Sequence, residues 1–390
     1  MKALFLGHFA AGVAPRILAK VKTPLESSIL DDEGDAAHLA PLLADAEIVV
    51  GHIWRAGFPP APRLRLLQSV AAGLDLLDTK AVPKGVTICN VFGHEPAIAE
   101  YVIMTMLALT HRLFEGVTAF RAGSWVASPQ FGGGPPHGEV MGRSIGTIGY
   151  GRIGREVAER AAGLKCRVLA ANRSPVADPA PADTVYPLAE LDRMLPLCDT
   201  VLISCGLAPE TKGLIDARRL ALMKRGALLI NVARAAIVDE DALYAALQDG
   251  HLSGAALDVW WQYPTPAEPD RRPSRRPFHE LPNVLITPHS SSSTEAAADR
   301  RWSMVAAIWT VSRAARRSKI SCFKPDRTSA ALKRPEAAGG MLGASSTDQS
   351  PRLRLRLPVE ARHHGAADAV KAGEQDGALA RTGAARPSSI

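Results

Sequence analysis

Residues 144–154 read SIGTIGYGRIG, and this stretch decides the fold. Gly149, Gly151 and Gly154 form a GxGxxG pattern that follows a strand-like run and opens the helical segment REVAERAAGL. Glycine at the first position permits a tight turn. At the second it lets a pyrophosphate reach the backbone amides of Arg152 and Ile153 at the helix N-terminus, where unpaired N–H groups and the helix dipole favour an anion. Glycine-rich turns occur in many folds; the strand before and the helix after give this one its weight. The candidate cofactor loop is therefore Gly149, Tyr150, Gly151, Arg152, Ile153 and Gly154.

The next strand-like run, RVLAANRSP, ends in Asn172, Arg173 and Ser174, with no carboxylate before Asp178. A site for NAD normally ends this strand with an acid that accepts from the ribose hydroxyls. An arginine here can pair with a 2′-phosphate, and no carboxylate is present to repel it. The fingerprint favours NADP, with NAD as the alternative cofactor and a solvated surface arginine as the bland reading of Arg173.

Outward from this turn, short apolar runs alternate with helical patterns. KALFLG, AEIVVGHI, LRLLQSVAA and VTICNVF precede it, and CRVLAANRS, DTVLISCG, ALLINVA, GAALDVW and NVLITPH follow. Such alternation predicts βαβ units and parallel sheets. Residues 97–125, AIAEYVIMTMLALTHRLFEGVTAFRAGSW, read as one long helical connector between the two series. The expected fold class is α/β, with two doubly wound parallel-sheet domains.

Composition narrows the function. With 390 residues, 47% of them hydrophobic, the chain can bury two cores. No apolar run approaches the roughly 18–20 residues of a spanning helix, and MKALFLGHFAAG reads as a first strand rather than a signal peptide, so no membrane partner and a cytoplasmic location are expected. The net charge of +7 is unevenly placed: residues 309–390 hold 15 Lys/Arg against 7 Asp/Glu, leaving 31 against 32 for residues 1–308. The basicity belongs to the tail and gives no reason to expect a nucleic-acid partner. The 5 cysteines lie singly without CxxC spacing, which argues against a zinc site or a disulfide framework and for reduced thiols.

From about residue 40 to 308 the chain resembles the D-isomer-specific 2-hydroxyacid dehydrogenase family. The resemblance rests on LQSVAAGLDLLD (67–78), AIAEYV (97–102), GTIGYGRIG, APETKGLID (208–216), GALLINVARAAIVDEDALYAALQDGHLSGAALDVW (226–260) and LPNVLITPH (281–289), in that order. It implies a Rossmann cofactor domain, residues 101–291, inserted in a flavodoxin-like substrate domain made of residues 1–100 and 292–308. It also implies a homodimer and hydride transfer between NAD(P)H and a small 2-keto acid, or the reverse with a 2-hydroxy acid. That chemistry needs a cation on the carboxylate and carbonyl, and an acid for the nascent alkoxide. Arg234 matches the family arginine and His289 its acid/base. Ala72 and Gly73 match the loop whose amides hold the substrate carboxylate, and His94 lies on the substrate-facing segment. Ala233 and Asp258 fall at cofactor positions, Asp258 facing the nicotinamide carboxamide.

One position departs from the family. In DVWWQYPTP (258–266), Tyr263 stands where a glutamate usually partners the histidine. A phenol is neutral below about pH 10, so it can orient the ring without supplying charge, and Glu95 on the HEP loop is a candidate replacement. Two other readings follow: a formate-type dehydrogenase, which shares the fold but would favour asparagine where His94 stands, and a nucleotide-binding regulator that has lost catalysis.

From about 309 the texture turns to Arg, Ala, Gly, Ser and Pro without period, which predicts disorder. Back-translated with one choice of codons and read two bases later, IWTVSRAARRSKISCFK becomes LDRFPRGEALQNLLFQ, similar to the family's usual ending. A base lost after Ala307 accounts for the tail. Independent sequencing of the locus checks this: the shifted frame predicts a missing base there, and an intact frame in separate reads contradicts it.

Overall fold

The structure, a computed structural model of the chain, describes residues 1–32, 36–265, 267–311 and 322–323. It opens with β1 (Lys2–Leu6), α1 (His8–Leu18), β2 (Glu26–Leu30), α2 (Ala36–Asp45), β3 (Ile48–Val50), β4 (Leu66–Gln68) and β5 (Thr87–Cys89). Helices α3 (Glu95–Thr110) and α4 (Leu113–Arg121) lead to β6 (Ser144–Ile148), α5 (Arg152–Gly163), β7 (Arg167–Asn172), β8 (Thr184–Pro187), α6 (Leu191–Met194) and β9 (Thr200–Ile203). There follow α7 (Ala217–Leu222), β10 (Ala227–Asn231), α8 (Glu240–Gln248), β11 (Leu252–Leu257), β12 (Val284–Ile286), α9 (Glu295–Val311) and β13 (Cys322–Phe323).

The strands form two sheets. One has the order β5-β4-β3-β1-β2, all parallel, with β13 added antiparallel on β5. The other runs β12-β11-β10-β9-β6-β7-β8 and is parallel throughout. Both are doubly wound orders, and the second reverses direction between β6 and β9, where an open sheet leaves a crevice for a ligand. Strands β9 and β10 are buried at every position because helices cover both faces, which is why they read as unbroken apolar runs. Helix α5 buries Gly154, Val157, Ala158 and Ala161, one stripe at helical spacing.

Three elements differ from the sequence reading. The connector is two helices meeting at 61°, broken where Arg112 adopts φ 51°. Helix α3 is buried on several sides rather than along one stripe, so its apolar content masked the break. Strands β2 and β8 lie at sheet edges, where exposed residues carry no apolar run. Cys166, Cys198 and Cys205 are free, whereas Cys89 is disulfide-bonded, against the expectation of reduced thiols. Among the described residues no single helix is long and apolar enough to cross a membrane.

Helix α9 returns to the first sheet. Trp302, Val305, Ile308 and Trp309 join Phe5, Ala10, Ala14 and Ile17 in one core, and the Trp309 ring meets Phe5 edge-on at 6.0 Å. The helix thus extends two residues past the point where the sequence texture changes. Residues 322–323 of the tail also form a strand, β13 on β5, against the expectation of disorder, and the rest of that expectation falls outside the described residues. Trp309 is 1% exposed. Trp309→Ala is expected to cost about 3–5 kcal/mol in chemical denaturation; a loss below about 1 kcal/mol would contradict this docking of α9.

Candidate active site

The strand ends of both sheets converge on one cleft. At the end of β6, Gly149 turns with φ 98°, and a Cβ there would lie 2.7 Å from the backbone of Cys205 after β9. A Cβ on Gly154 would sit 2.3 Å from the Gly149 carbonyl oxygen, so this glycine lets helix and strand close together. Gly151 caps α5 with no side-chain bond, and space is open beside it. Because the first intrahelical bond at this end comes from Arg155 N, the amides of Arg152, Ile153 and Gly154 are available to an anion. A dinucleotide pyrophosphate fits this turn.

The remaining cofactor candidates are partly engaged by protein. Asn172 Oδ1 accepts from Tyr150 N at 3.0 Å, and its Nδ2 donates to the Ser174 carbonyl at 2.8 Å, so this amide braces the turn. Tyr150 Oη donates to the Pro179 carbonyl at 2.8 Å. Arg152 stacks over Phe92, 4.3 Å from the ring centre, linking α5 to the first sheet's loops. Arg173 is largely exposed but pairs with Glu210 at 2.5 Å.

At the opposite wall, His289 sits beyond the end of β12 with φ 58°, a conformation costly for a side chain-bearing residue. Asp258, fully buried at the end of β11, holds it there. Its Oδ1 accepts from Thr287 Oγ1 at 2.6 Å and Ser290 N at 2.8 Å, and its Oδ2 from Ser291 N at 3.0 Å. Tyr101 Oη lies 2.8 Å from Thr287 Oγ1; since that hydroxyl gives its proton to Asp258, the phenol is the donor. Burial pushes the Tyr101 phenol up to about 12. Trp260 Nε1 donates to the Thr287 carbonyl at 2.8 Å.

Tyr263 Oη lies 2.9 Å from His289 Nδ1 and accepts from Trp260 N at 3.2 Å. A hydroxyl both donates and accepts, so this contact orients the ring whichever of its nitrogens is protonated. Desolvation in the cleft lowers the His289 pKa, Asp258 and Asp75 oppose this, and Arg234 adds to it. Glu95 takes no part: it accepts from Gly93 N at 2.6 Å.

Arg234, following β10, donates from Nε and Nη2 to Asp75 at 3.1 and 2.9 Å, and from Nη1 to the Ala233 carbonyl at 2.9 Å. A Cβ on Gly73 would strike this pair, 2.2 Å from Nη2. The amides of Ala72 and Gly73 have no protein acceptor among the described residues, and Asn90 Nδ2 fixes their loop through the Ala72 carbonyl at 2.8 Å. His94 is buried at the start of α3, its Nδ1 without a partner among the described residues; burial, opposed by Glu95 and aided by Arg301 and Arg300, takes its pKa down to about 4, so it is neutral.

The structure therefore brings Gly73, Arg234, Tyr263, Asp258 and His289 together, with Ala233 behind the arginine. Asp75, Thr287, Tyr101, Phe92 and Glu210 were not singled out from sequence. Asp75, Thr287, Tyr101 and Glu210 lie inside the quoted motifs and Phe92 in the run VTICNVF; their roles depend on partners remote along the chain.

A family profile described as "D-isomer specific 2-hydroxyacid dehydrogenase, NAD binding domain" matches residues 103–291. Glycerate dehydrogenase of Methylorubrum extorquens is 35% identical over 239 residues, 60% of this chain and 72% of that protein. The mitochondrial formate dehydrogenase of Solanum tuberosum is 31% identical over 277 residues, 68% and 69% of the two chains. Among solved structures, a 2-hydroxyacid dehydrogenase from Ketogulonicigenium vulgare superposes with a TM-score of 0.66 at 28% identity, covering 80% of this chain and 95% of its own.

Because a carboxylate in place of the phenol would face Nδ1 directly, Tyr263→Glu is expected to raise the His289 pKa by about 1–3 units. NMR titration of the ring measures this. An unchanged midpoint would mean that residue 263 does not set the charge of His289.

Proposed function

The chain belongs to the D-isomer-specific 2-hydroxyacid dehydrogenase family and is an NAD(P)-dependent oxidoreductase of hydroxy and oxo acids, and we propose that it reduces a small 2-oxo acid with NADPH. The observation that carries this reading is the convergence of Arg234, His289 and the open amides of Ala72 and Gly73 on one cleft beside the α5 turn. We take residues 101–291 as the cofactor domain, and 1–100 with 292–308 as the substrate domain.

In this reading the substrate carboxylate lies on the Ala72 and Gly73 amides, within reach of Arg234. NADPH, when bound, supplies the hydride. Arg234 polarises the carbonyl, and His289 delivers a proton from Nε2 to the oxygen as negative charge develops there. Tyr263 keeps the ring oriented: its oxygen accepts from Nδ1–H of the imidazolium, and Nδ1 keeps that proton once Nε2 has delivered its own. Since desolvation lowers the His289 pKa, the acidic form is depleted as pH rises through that lowered value. Reduction accordingly fades at lower pH than with a carboxylate partner.

We assign NADPH as the preferred donor because Arg173 follows β7 directly, with no acid before Asp178. Glu210 tempers that preference, since it neutralises the cation a 2′-phosphate would need. The chain acts as a homodimer through α3 and α4, where Leu113, Phe114, Val117 and Phe120 are exposed beside a groove of about 1060 Å³ lined by Met104, Leu107 and Leu285. The formate dehydrogenase relative supports a second reading, formate oxidation, although His94 replaces the expected asparagine.

Purified protein with NADPH or NADH is assayed against glyoxylate, hydroxypyruvate, pyruvate and bulkier oxo acids, and with NAD(P)⁺ against formate. Oxo-acid reduction is expected, with higher kcat/KM for NADPH. Arg173→Ala should lower only the NADPH value, about tenfold for the loss of one charge-assisted contact, and Glu210→Gln should raise it. A clear preference for NADH contradicts the cofactor assignment, and turnover of formate alone contradicts the substrate class.

A further inference from the structure

Arg234 reaches its place from a loop of the second sheet, but the group that holds it comes from the first. Asp75 follows β4, 159 residues earlier in sequence, and takes the Nε/Nη2 edge of the guanidinium with both oxygens at 3.1 and 2.9 Å. A guanidinium carries five N–H groups. Asp75 takes two and the Ala233 carbonyl a third, which leaves one on Nη1 and one on Nη2. Gly73 has no side chain to disturb the pair. The side chains of Arg234 and Asp75 are only 31% and 26% exposed, so the fork is shielded and its alignment is held more firmly than in a surface pair.

We propose that Asp75 is a positioning residue for the reaction: it locks Arg234 by one edge so that the two remaining N–H groups meet the oxo acid. The proposal rests on the oxo-acid reading above. It also gives the cleft a negative charge close to His289. The charged and titratable groups facing His289 are Tyr263 and Asp258 from the β11 side, Arg234 from the β10 loop, and Asp75 from the β4 loop. Desolvation alone would raise the Asp75 carboxyl, but the hydrogen bond and charge of Arg234 outweigh it and hold the group below the usual carboxylate range. Asp75 is therefore ionised wherever the enzyme works. Without it, the charge of Arg234 would stand unbalanced beside His289 and disfavour the imidazolium.

Asp75→Asn keeps the shape and removes the charge, whereas Asp75→Glu keeps the charge and displaces it. In the full-length protein with NADPH and glyoxylate, Asp75→Asn should lower kcat/KM roughly 10- to 100-fold, mainly in kcat, as a misplaced group does. Its reduction should also fade at lower pH than wild type. Asp75→Glu should lose kcat/KM but keep the wild-type pH limit. NADPH affinity, read by fluorescence, should be the same in all three. Wild-type kcat/KM and pH limit in Asp75→Asn would overturn the proposal, as would a loss explained by weaker NADPH binding. If wild type turns over no oxo acid, the functional reading fails on its own, and oxalate binding by calorimetry still decides the role of Asp75. Weaker oxalate binding in Asp75→Asn supports positioning; equal or tighter binding overturns it.

Discussion

The geometry of the cleft depends on one buried carboxylate. Asp258 has no exposed surface and accepts three hydrogen bonds, from Thr287, Ser290 and Ser291, on either side of His289. A left-handed backbone at a residue with a side chain costs about 1–3 kcal/mol and persists only where its surroundings over-determine it. Here they do. Strands β11 and β12 are neighbours in register, Leu257 opposite Ile286, so the acid and the segment it binds emerge side by side. The Tyr101 hydroxyl and the Trp260 indole add two ties to Thr287. The sheet thereby aims His289 into the cleft, and Asp258 acts as an anchor of that loop.

The same carboxylate helps answer what replaces the glutamate missing from DVWWQYPTP. Trp261 stacks on Phe278, with ring planes 8° apart and centres 5.4 Å apart, and Gln262 lies near Arg271, so neither faces the histidine. Tyr263 alone of the three reaches it. Negative charge comes instead from Asp258 behind the loop and Asp75 across the cleft, and Glu95 is committed elsewhere. Orientation and charge, which one glutamate would combine, are here divided among a phenol and two aspartates.

What the sequence disclosed follows from range. The GxGxxG turn, the buried strands and the stripe of α5 are local patterns, and each is found where its residues indicate. Edge strands β2 and β8 escaped because half of the signal for a strand is burial on both faces, which they lack. The break at Arg112 was hidden because α3 is apolar on several sides. Within the site, Gly73, Arg234, Tyr263 and His289 were named from motifs, and they meet. Asp75 was not, because its meaning lies in a partner on the other sheet. Arg173 was read as free to meet a phosphate, and its pairing with Glu210 is equally remote in sequence.

The central claim is that His289 works as an acid with a depressed pKa, its Nδ1 held by a phenol and its counter-charges one step removed. Nitrogen-15 NMR of the imidazole in the wild-type protein tests this most directly. A titration midpoint below the ordinary histidine value of about 6.5 is expected. A midpoint at or above that value would contradict it.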